Sequence, residues 1–383
     1  MDALQRAGWR PLPFTQFVIK IHSRCNLACD YCYMYEMADQ SWSSRDKVMD
    51  SATMKATIDR IAEHARVHRL PSVNAVLHGG EPLLAGTSWI DGFVADLRGV
   101  LEPDVQVAVS MQTNGTLIDE DFLRTAAERR IGVSVSLDGA EQDNDQHRRY
   151  AGGRGSYQAV ARGLALLASG PYRAQFRGLL CTINVDNDPI GTYEELLRWR
   201  PPAIDFLLPH GTWSSPPPKR TTDEDHTPYA DWLLEIFERW YTAPSRQTRV
   251  RLFESVIRMA LGGQSMTEAV GLQPARLVVI ETDGSIEQVD SLKAAFDGAP
   301  ATGLTVRDGP FDRALEHPSV AARQIGIEAL SEKCRACSLR DTCGGGLYPH
   351  RYREGSGFLN PSVYCPDLMK LITHIVGRVR ADV

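Results

Sequence analysis

The sequence predicts an α/β protein built on parallel strands, with a smaller domain at its C-terminal end. Three observations lead to this prediction. The chain has 383 residues, too many for one small domain. Strand-like and helix-like segments alternate six times between residues 14 and 209, and such alternation gives parallel strands joined by right-handed crossovers. A polar, proline-rich segment then ends the series. The six units form either an open doubly wound sheet or a partial barrel.

The first unit begins with the strand FTQFVIKIH (14–22), and a helix follows over 52–70, with Ser51 or Thr53 as its N-cap. The remaining predicted strands are 72–78, 105–112, 131–138, 174–184 and 203–209, and the helices lie near 88–99, 119–130, 156–169 and 190–199. Functional residues of such folds sit at the carboxyl ends of strands, where short motifs rich in Gly, Asn and Asp recur here.

The polar segment over 210–228 is either a cover for the mouth of the sheet, with Trp213 in it, or a linker. Two amphipathic helices follow near 229–241 and 250–262, and then a hairpin over 276–290 with Asp283-Gly284 at its turn. We predict a core domain, a helical linker and an auxiliary domain over residues 1–245, 246–275 and 276–383.

Composition limits the classes of function. The net charge of −6 argues against a nucleic-acid partner, and no apolar run reaches the ~18 residues of a membrane span. The N-terminus lacks the apolar segment of a signal peptide. We therefore predict a cytoplasmic protein with no nucleic-acid or membrane partner. In that reducing compartment, clustered cysteines hold metals more often than they form disulfides.

Three cysteines stand in one short loop after the first strand, in the pattern Cys25-x3-Cys29-x2-Cys32. Thiolates in such clusters bind iron–sulfur clusters, zinc or copper. A zinc site needs a fourth ligand, for which His22 is available, and a redox pair of Cys29 and Cys32 leaves Cys25 unexplained. A [4Fe–4S] cluster with three protein ligands leaves one iron open to a small molecule.

This loop, with Tyr31 just before its last cysteine, resembles the signature of the radical SAM superfamily. The resemblance covers residues 14–240 and implies a partial (β/α)6 TIM-like barrel. It implies a [4Fe–4S] cluster on Cys25, Cys29 and Cys32, with S-adenosylmethionine (SAM) bound to the open iron. Such a pair gives a 5′-deoxyadenosyl radical that abstracts hydrogen, while the protein supplies position and exclusion of water.

The same resemblance implies SAM contacts at the ends of strands two to four. The motif GGEP brings an acidic group to the SAM ammonium, and glycines let backbone approach closely. In the segment HRRY, Arg149 pairs with the SAM carboxylate, and its neighbour Arg148 competes for that role. The implied cofactor-binding residues are Tyr31, Gly79, Gly80, Glu81, Gln112, Asn114, Ser136 and Arg149.

Four more cysteines lie near the C-terminus: Cys334, Cys337, Cys343 and Cys365. Four thiolates can saturate one zinc ion or one cluster. Beside the first motif, the block resembles the SPASM domain of peptide-modifying radical SAM enzymes. It therefore implies one fully ligated auxiliary [4Fe–4S] cluster.

The resemblance is incomplete, because a full SPASM domain holds seven cysteines and two auxiliary clusters. Leu347 stands where one more cysteine is expected, and Val289 with Asp290 stands where another is expected. We therefore predict that one auxiliary site is missing. Asp290 and Asp205 are the candidates for a catalytic acid–base group. The alternative for Asp290 is that it has no catalytic role and only forms part of a turn.

Both cysteine blocks resemble FxsB-type maturases, including a group that forms three-residue cyclophanes on ribosomally made precursor peptides. This implies an oxidoreductase that joins an aromatic ring carbon to a β-carbon two residues on. The implied partners are the precursor peptide and a reducing flavodoxin or ferredoxin. Because 13 residues precede the first strand, a separate leader-binding protein is a further candidate.

Three other functions remain open. A peptide epimerase would use Cys181 in strand five as a hydrogen donor, although a lone cysteine there is also a small buried apolar side chain. A sulfatase-type maturase would oxidise Ser or Cys to formylglycine. A non-catalytic protein would bind zinc through its cysteines and recognise peptides.

Overall fold

The computed structural model describes residue 6 and residues 8–382. Its strands are β1 (Gln16–His22), β2 (Ser72–Gly79), β3 (Gln106–Thr113), β4 (Ile131–Ser136), β5 (Phe176–Thr182), β6 (Ala203–Leu207), β7 (Arg249–Val250), β8 (Leu277–Ile280), β9 (Ser285–Glu287) and β10 (Ala301–Thr305). All six predicted strands of the α/β series are present.

Helices alternate with these strands. They are α1 (Ser51–Val67), α2 (Thr87–Leu101), α3 (Glu120–Glu128), α4 (Glu141–His147), α5 (Tyr157–Leu167), α6 (Pro189–Leu197), α7 (Pro228–Tyr241), α8 (Arg251–Ala260), α9 (Asp312–Leu315), α10 (Pro318–Ala322), α11 (Glu332–Arg335), α12 (Arg340–Cys343) and α13 (Cys365–Asp382). The N-cap of α1 is Asp50, whose carboxylate accepts the Thr53 amide at 2.6 Å. The prediction of Ser51 or Thr53 as this cap was therefore wrong.

The chain divides into two compact units. The first comprises Met1–Ser136, Asp145–Arg177 and Ala275–Gln324, and the second comprises Leu137–Asn144, Gly178–Pro274 and Ile325–Val383. In the first unit the strand order is β10-β9-β8-β1-β2-β3-β4, and β1 to β4 and β8 run parallel. In the second unit β5, β6 and β7 pair in parallel. This architecture confirms the predicted α/β class.

Strand β1 lies at the centre of the first unit, and both of its faces are buried. Phe17, Ile19 and Ile21 are fully buried on one face. Because alternate residues of a strand point to opposite faces, Lys20 lies on the other face, also with no exposed surface. A buried cation requires a partner, so the position of Lys20 points to a polar centre at this end of the strand.

The predicted hairpin is present as β8 and β9, and Gly284 at its turn has a φ of +84°, which favours glycine. Strand β8 pairs in parallel with β1, with Val279 opposite Val18. The residues after the hairpin are thereby brought next to the end of β1. The predicted domain boundaries remain a prediction.

None of the helices in the described part of the chain combines the length and the apolar character that crossing a bilayer requires.

Candidate active site

The cysteine loop begins directly after β1, and its sulfurs receive N–H groups. The Leu27 amide donates to the Cys25 Sγ at 3.4 Å, and the Asn114 side-chain amide lies 3.5 Å from the same sulfur. Cys25, Cys29 and Cys32 are each partly exposed. Burial raises the pKa of Cys25 to about 12, so its thiolate needs a nearby cation. Such N–H donors suit a cluster-bound thiolate.

The glycines of GGEP allow two backbones to meet. The Gly80 amide donates to the His22 carbonyl at 2.8 Å, and the Glu81 amide donates to the Arg24 carbonyl at 3.0 Å. A Cβ on Gly79 would lie 2.2 Å from the His22 carbonyl oxygen, and a Cβ on Gly80 would lie 2.5 Å from that of Arg24. The end of β2 therefore positions the cysteine loop through contacts that only glycine permits.

Glu81 is fully buried and joins the ends of β2 and β3. Its carboxylate accepts hydrogen bonds from the Thr113 hydroxyl at 2.7 Å, the Asn114 amide at 2.8 Å and the Leu83 amide at 3.0 Å. Burial raises the pKa of Glu81, and these hydrogen bonds oppose that change. The Glu81 carboxylate thus fixes the loop after β3.

Two further pairs bring the predicted residues together. The Gln112 amide donates to the Ser136 hydroxyl at 2.9 Å across the neighbouring strands β3 and β4. The Asn114 amide donates to the Asn26 side-chain oxygen at 2.8 Å, inside the cysteine loop. The predicted residues of β3 and β4 therefore hydrogen-bond to each other, and Asn114, just after β3, hydrogen-bonds to the cysteine loop.

The two neighbouring arginines differ in position. Arg149 is exposed, and its guanidinium donates to the Asp145 carbonyl. Arg148 is 7% exposed and donates to the Tyr31 hydroxyl at 2.8 Å. Its charge also opposes the effect of burial on the pKa of Cys32. Of the two neighbouring arginines, Arg148 is therefore the buried one, beside Tyr31, and Arg149 is the exposed one.

Asp290 lies in a buried polar centre with Lys20 and His78. The Lys20 ammonium is 2.5 Å from the Asp290 carboxylate and 3.2 Å from the His78 Nδ1. Burial alone would raise the pKa of Asp290, but nearby positive charge, above all that of Lys20, outweighs it, so this pKa is lowered. The second carboxylate oxygen of Asp290 is buried without a hydrogen-bond partner among the described residues.

His78 is neutral in this setting. Burial and Lys20 lower its pKa to about 4. Its Nδ1 lies 2.9 Å from the Gly79 amide nitrogen and 3.1 Å from the Gly79 carbonyl oxygen. Lys20, His78 and Asn26 were not predicted from the sequence. For Lys20 a signal was available, since a charged residue stood inside an apolar strand.

A second set of buried ions follows Asp290. The Lys293 ammonium lies 3.2 Å from both Asp39 and Glu287, and the Arg45 guanidinium lies 2.7 Å from Glu287. This stretch of chain, where Val289 replaces an expected cysteine, is thus filled by ion pairs. Asp205, the other candidate acid–base group, belongs to the second unit and is paired with Arg251.

The four C-terminal cysteines line one cavity of about 380 Å³ in the second unit. Burial and repulsion by neighbouring cysteines raise the pKa of Cys343 and of Cys365 to about 11 each. The Leu339 amide donates to the Cys337 Sγ at 3.4 Å. Four thiolates around one cavity can hold an iron–sulfur cluster or a zinc ion.

Comparisons with known proteins agree with this site. The profile of the radical SAM superfamily matches residues 19–196. A serine-type anaerobic sulfatase-maturating enzyme of Bacteroides thetaiotaomicron is 30% identical over 95% of this chain and 89% of its own length. The chain belongs to the radical SAM superfamily. It is a radical SAM enzyme related to sulfatase-maturating enzymes, and its cofactors are SAM and [4Fe–4S] clusters.

Solved structures of this superfamily share the fold. The structure named "Native anSMEcpe with bound AdoMet" has a TM-score of 0.81 at 20% identity and covers 96% of this chain and 98% of its own. Streptococcus suis SuiB bound to precursor peptide SuiA has a TM-score of 0.56 at 14% identity, covering 95% and 78%. These likenesses confirm the fold that the radical SAM resemblance implied, while FxsB-type specificity remains a prediction.

Proposed function

We propose that this radical SAM enzyme oxidises a ribosomally made precursor peptide, joining an aromatic ring carbon to a β-carbon two residues on. The peptide class is supported by the sulfatase-maturating relatives and by the peptide-bound SuiB structure. The observation that carries the crosslinking proposal is the presence of one four-cysteine site together with the buried Asp290. Val289 and Leu347 stand where additional cluster ligands would be expected.

In this proposal Cys25, Cys29 and Cys32 hold the open cluster, which with SAM supplies a hydrogen-abstracting radical. Asn114 donates its amide toward the Cys25 sulfur, as the hydrogen bond in the structure suggests. Around SAM, the proposed contacts are those of Gly79, Gly80, Glu81, Gln112, Ser136, Tyr31 and the arginine pair, with Arg148 preferred to Arg149.

Asp290 is proposed as the base that accepts the ring proton. Forming the crosslink removes one hydrogen atom from the β-carbon, then one proton and one electron from the ring after the new C–C bond forms. Lys20 keeps the carboxylate ionised, and the Asp290 oxygen that has no hydrogen-bond partner among the described residues is the atom proposed to accept the proton. Asp205, whose carboxylate pairs with Arg251, is the alternative candidate for this base.

The second cysteine set would hold the auxiliary cluster, which supplies one-electron chemistry of the kind that closing an aromatic crosslink requires. Its four cysteines leave no ligand position vacant for a peptide. A low-potential flavodoxin or ferredoxin as reductant, and a separate leader-binding protein, remain proposed partners.

Formylglycine formation is the second candidate, because the similar curated relatives are sulfatase-maturating enzymes. Oxidation of serine to formylglycine also removes two hydrogens and needs a base. The two reactions therefore give the same mass loss from serine-containing peptides, and product chemistry must separate them.

The test uses reduced enzyme, SAM and two synthetic peptides. One has an aromatic residue two positions before an aliphatic residue, and the matched peptide has a serine and no aromatic residue. We expect only the first peptide to give a product, about two mass units lighter than the substrate. That product should not react with hydroxylamine, and in mass spectrometry it should not fragment between the two joined residues. An aldehyde trapped by hydroxylamine from the serine peptide would instead support formylglycine formation.

A further inference from the structure

We propose that His64, His68 and Asp312 form a binding site for a first-row divalent cation of the zinc type. The site lies in the first unit, near the end of α1 and at the start of α9. It is separate from both cysteine sets and independent of the reaction proposed above.

The sequence brings the two imidazoles together. His64 lies on the last turn of α1 and His68, four residues on, is the C-cap of that helix, so their side chains lie on the same face. Their ring centroids are 4.4 Å apart. Asp312 supplies a carboxylate from an element distant in sequence, which closes the third side.

The donor atoms converge on one point. Asp312 Oδ1 lies 3.1 Å from His64 Nδ1 and 2.8 Å from His68 Nε2, and the three donor atoms all lie within 4.8 Å of one another. Ligands at about 2.1 Å from a tetrahedral zinc ion stand about 3.4 Å apart. A cation can therefore enter this cluster with small side-chain movements.

The chemistry of the donors selects the metal. Two imidazoles and one carboxylate suit Zn²⁺, Co²⁺ or Ni²⁺ rather than Mg²⁺ or Ca²⁺. A water molecule would occupy the fourth position.

The site has a closed side and an open side. The ring of His64 packs against the rings of Phe14, Phe17 and Phe311 at centroid distances of 5.8 to 6.0 Å, and its side chain has no exposed surface. His68 and Asp312 are 25% and 42% exposed. A cation can thus enter from solvent on the side of His68 and Asp312, while the phenylalanine rings around His64 close the opposite side. Since Phe14 and Phe17 lie at the amino end of β1, this site is at the opposite end of that strand from the cysteine loop.

The alternative is that Asp312 accepts hydrogen bonds from both histidines and binds nothing else. Asp312→Asn separates the two possibilities, because an asparagine oxygen still accepts from both rings but is a poor metal ligand. His68→Gln removes one metal ligand at a partly exposed position. Asp59→Asn is the matched control, since Asp59 is an exposed carboxylate on the same helix that pairs with Lys55.

The measurement is anaerobic equilibrium dialysis of the cluster-loaded enzyme against buffered micromolar zinc, followed by metal analysis. We expect one bound zinc per chain with unchanged iron content. Asp312→Asn and His68→Gln should each weaken this binding at least about tenfold, and Asp59→Asn should not. No zinc uptake, or equal uptake by Asp312→Asn, would overturn the proposal.

Discussion

Lys20 determines the charge of Asp290 in the first unit. A carboxyl group this deeply buried would be protonated without a cation, and a protonated group cannot act as a base. The ammonium at 2.5 Å reverses that preference, with help from Lys293. His78 contributes no competing charge near neutral pH, because its pKa is about 4.

Lys20→Met should therefore shift the pH dependence of peptide modification. Activity falls as the pH drops through the pKa of the base, and removing the cation raises that pKa. We expect the acid limb of kcat/KM to move up by about 1–3 pH units, with activity partly recovered at high pH. Lys20→Arg keeps the charge and should keep the limb near its original position. An unchanged profile in Lys20→Met would contradict this role, provided that iron content and SAM cleavage show a folded enzyme.

Asp290→Asn tests the base itself. Removing a general base costs about 10²- to 10⁴-fold in rate, whereas reductive SAM cleavage does not require it. We expect crosslinked product to fall by that factor while 5′-deoxyadenosine still forms. Asp205→Asn removes the other candidate carboxylate, which pairs with Arg251, and should leave product formation within about threefold of the original because Asp290 is the proposed base. If Asp205→Asn lost product formation and Asp290→Asn did not, Asp205 would be the general base.

At the scale of elements, the turn after β2 positions the cysteine loop by backbone contact. In Gly80→Ala the new Cβ would lie 1.8 Å from the Tyr35 hydroxyl and 2.5 Å from the Arg24 backbone. The loop must then move, so we expect loss of iron from the open cluster and of SAM cleavage. Gly92→Ala in α2 is the matched control, since nothing lies within 4 Å of its Cβ. Normal iron content in Gly80→Ala would refute the contact.

The alternating pattern predicted the strands and helices because it depends on local burial. It also placed the cysteine loop, the GGEP turn and the pairs Gln112–Ser136 and Glu81–Asn114 at one end of the sheet. It did not predict Asp50 as a cap, nor that the hairpin would pair with β1, since that contact spans about 260 residues. Two adjacent arginines read alike in sequence, and only the fold shows that Arg148 is buried and Arg149 exposed.

For the whole molecule, the cysteines define two sites with different numbers of ligands. We expect about eight irons in the reconstituted enzyme and about four in Cys334→Ala. That variant should still cleave SAM but should lose crosslinking, because the other site keeps its three cysteines. Iron analysis with assays of both activities checks this. Full crosslinking by Cys334→Ala would show that the second site is dispensable.

The most direct test of the proposed reaction follows deuterium from the peptide. A peptide labelled at the β-carbon two residues after its aromatic residue should transfer one deuterium to 5′-deoxyadenosine and yield a crosslinked product that lacks it. The same peptide labelled at the α-carbon should transfer none. Transfer from the α-carbon, or a product that hydroxylamine traps as an aldehyde, would contradict the crosslinking function.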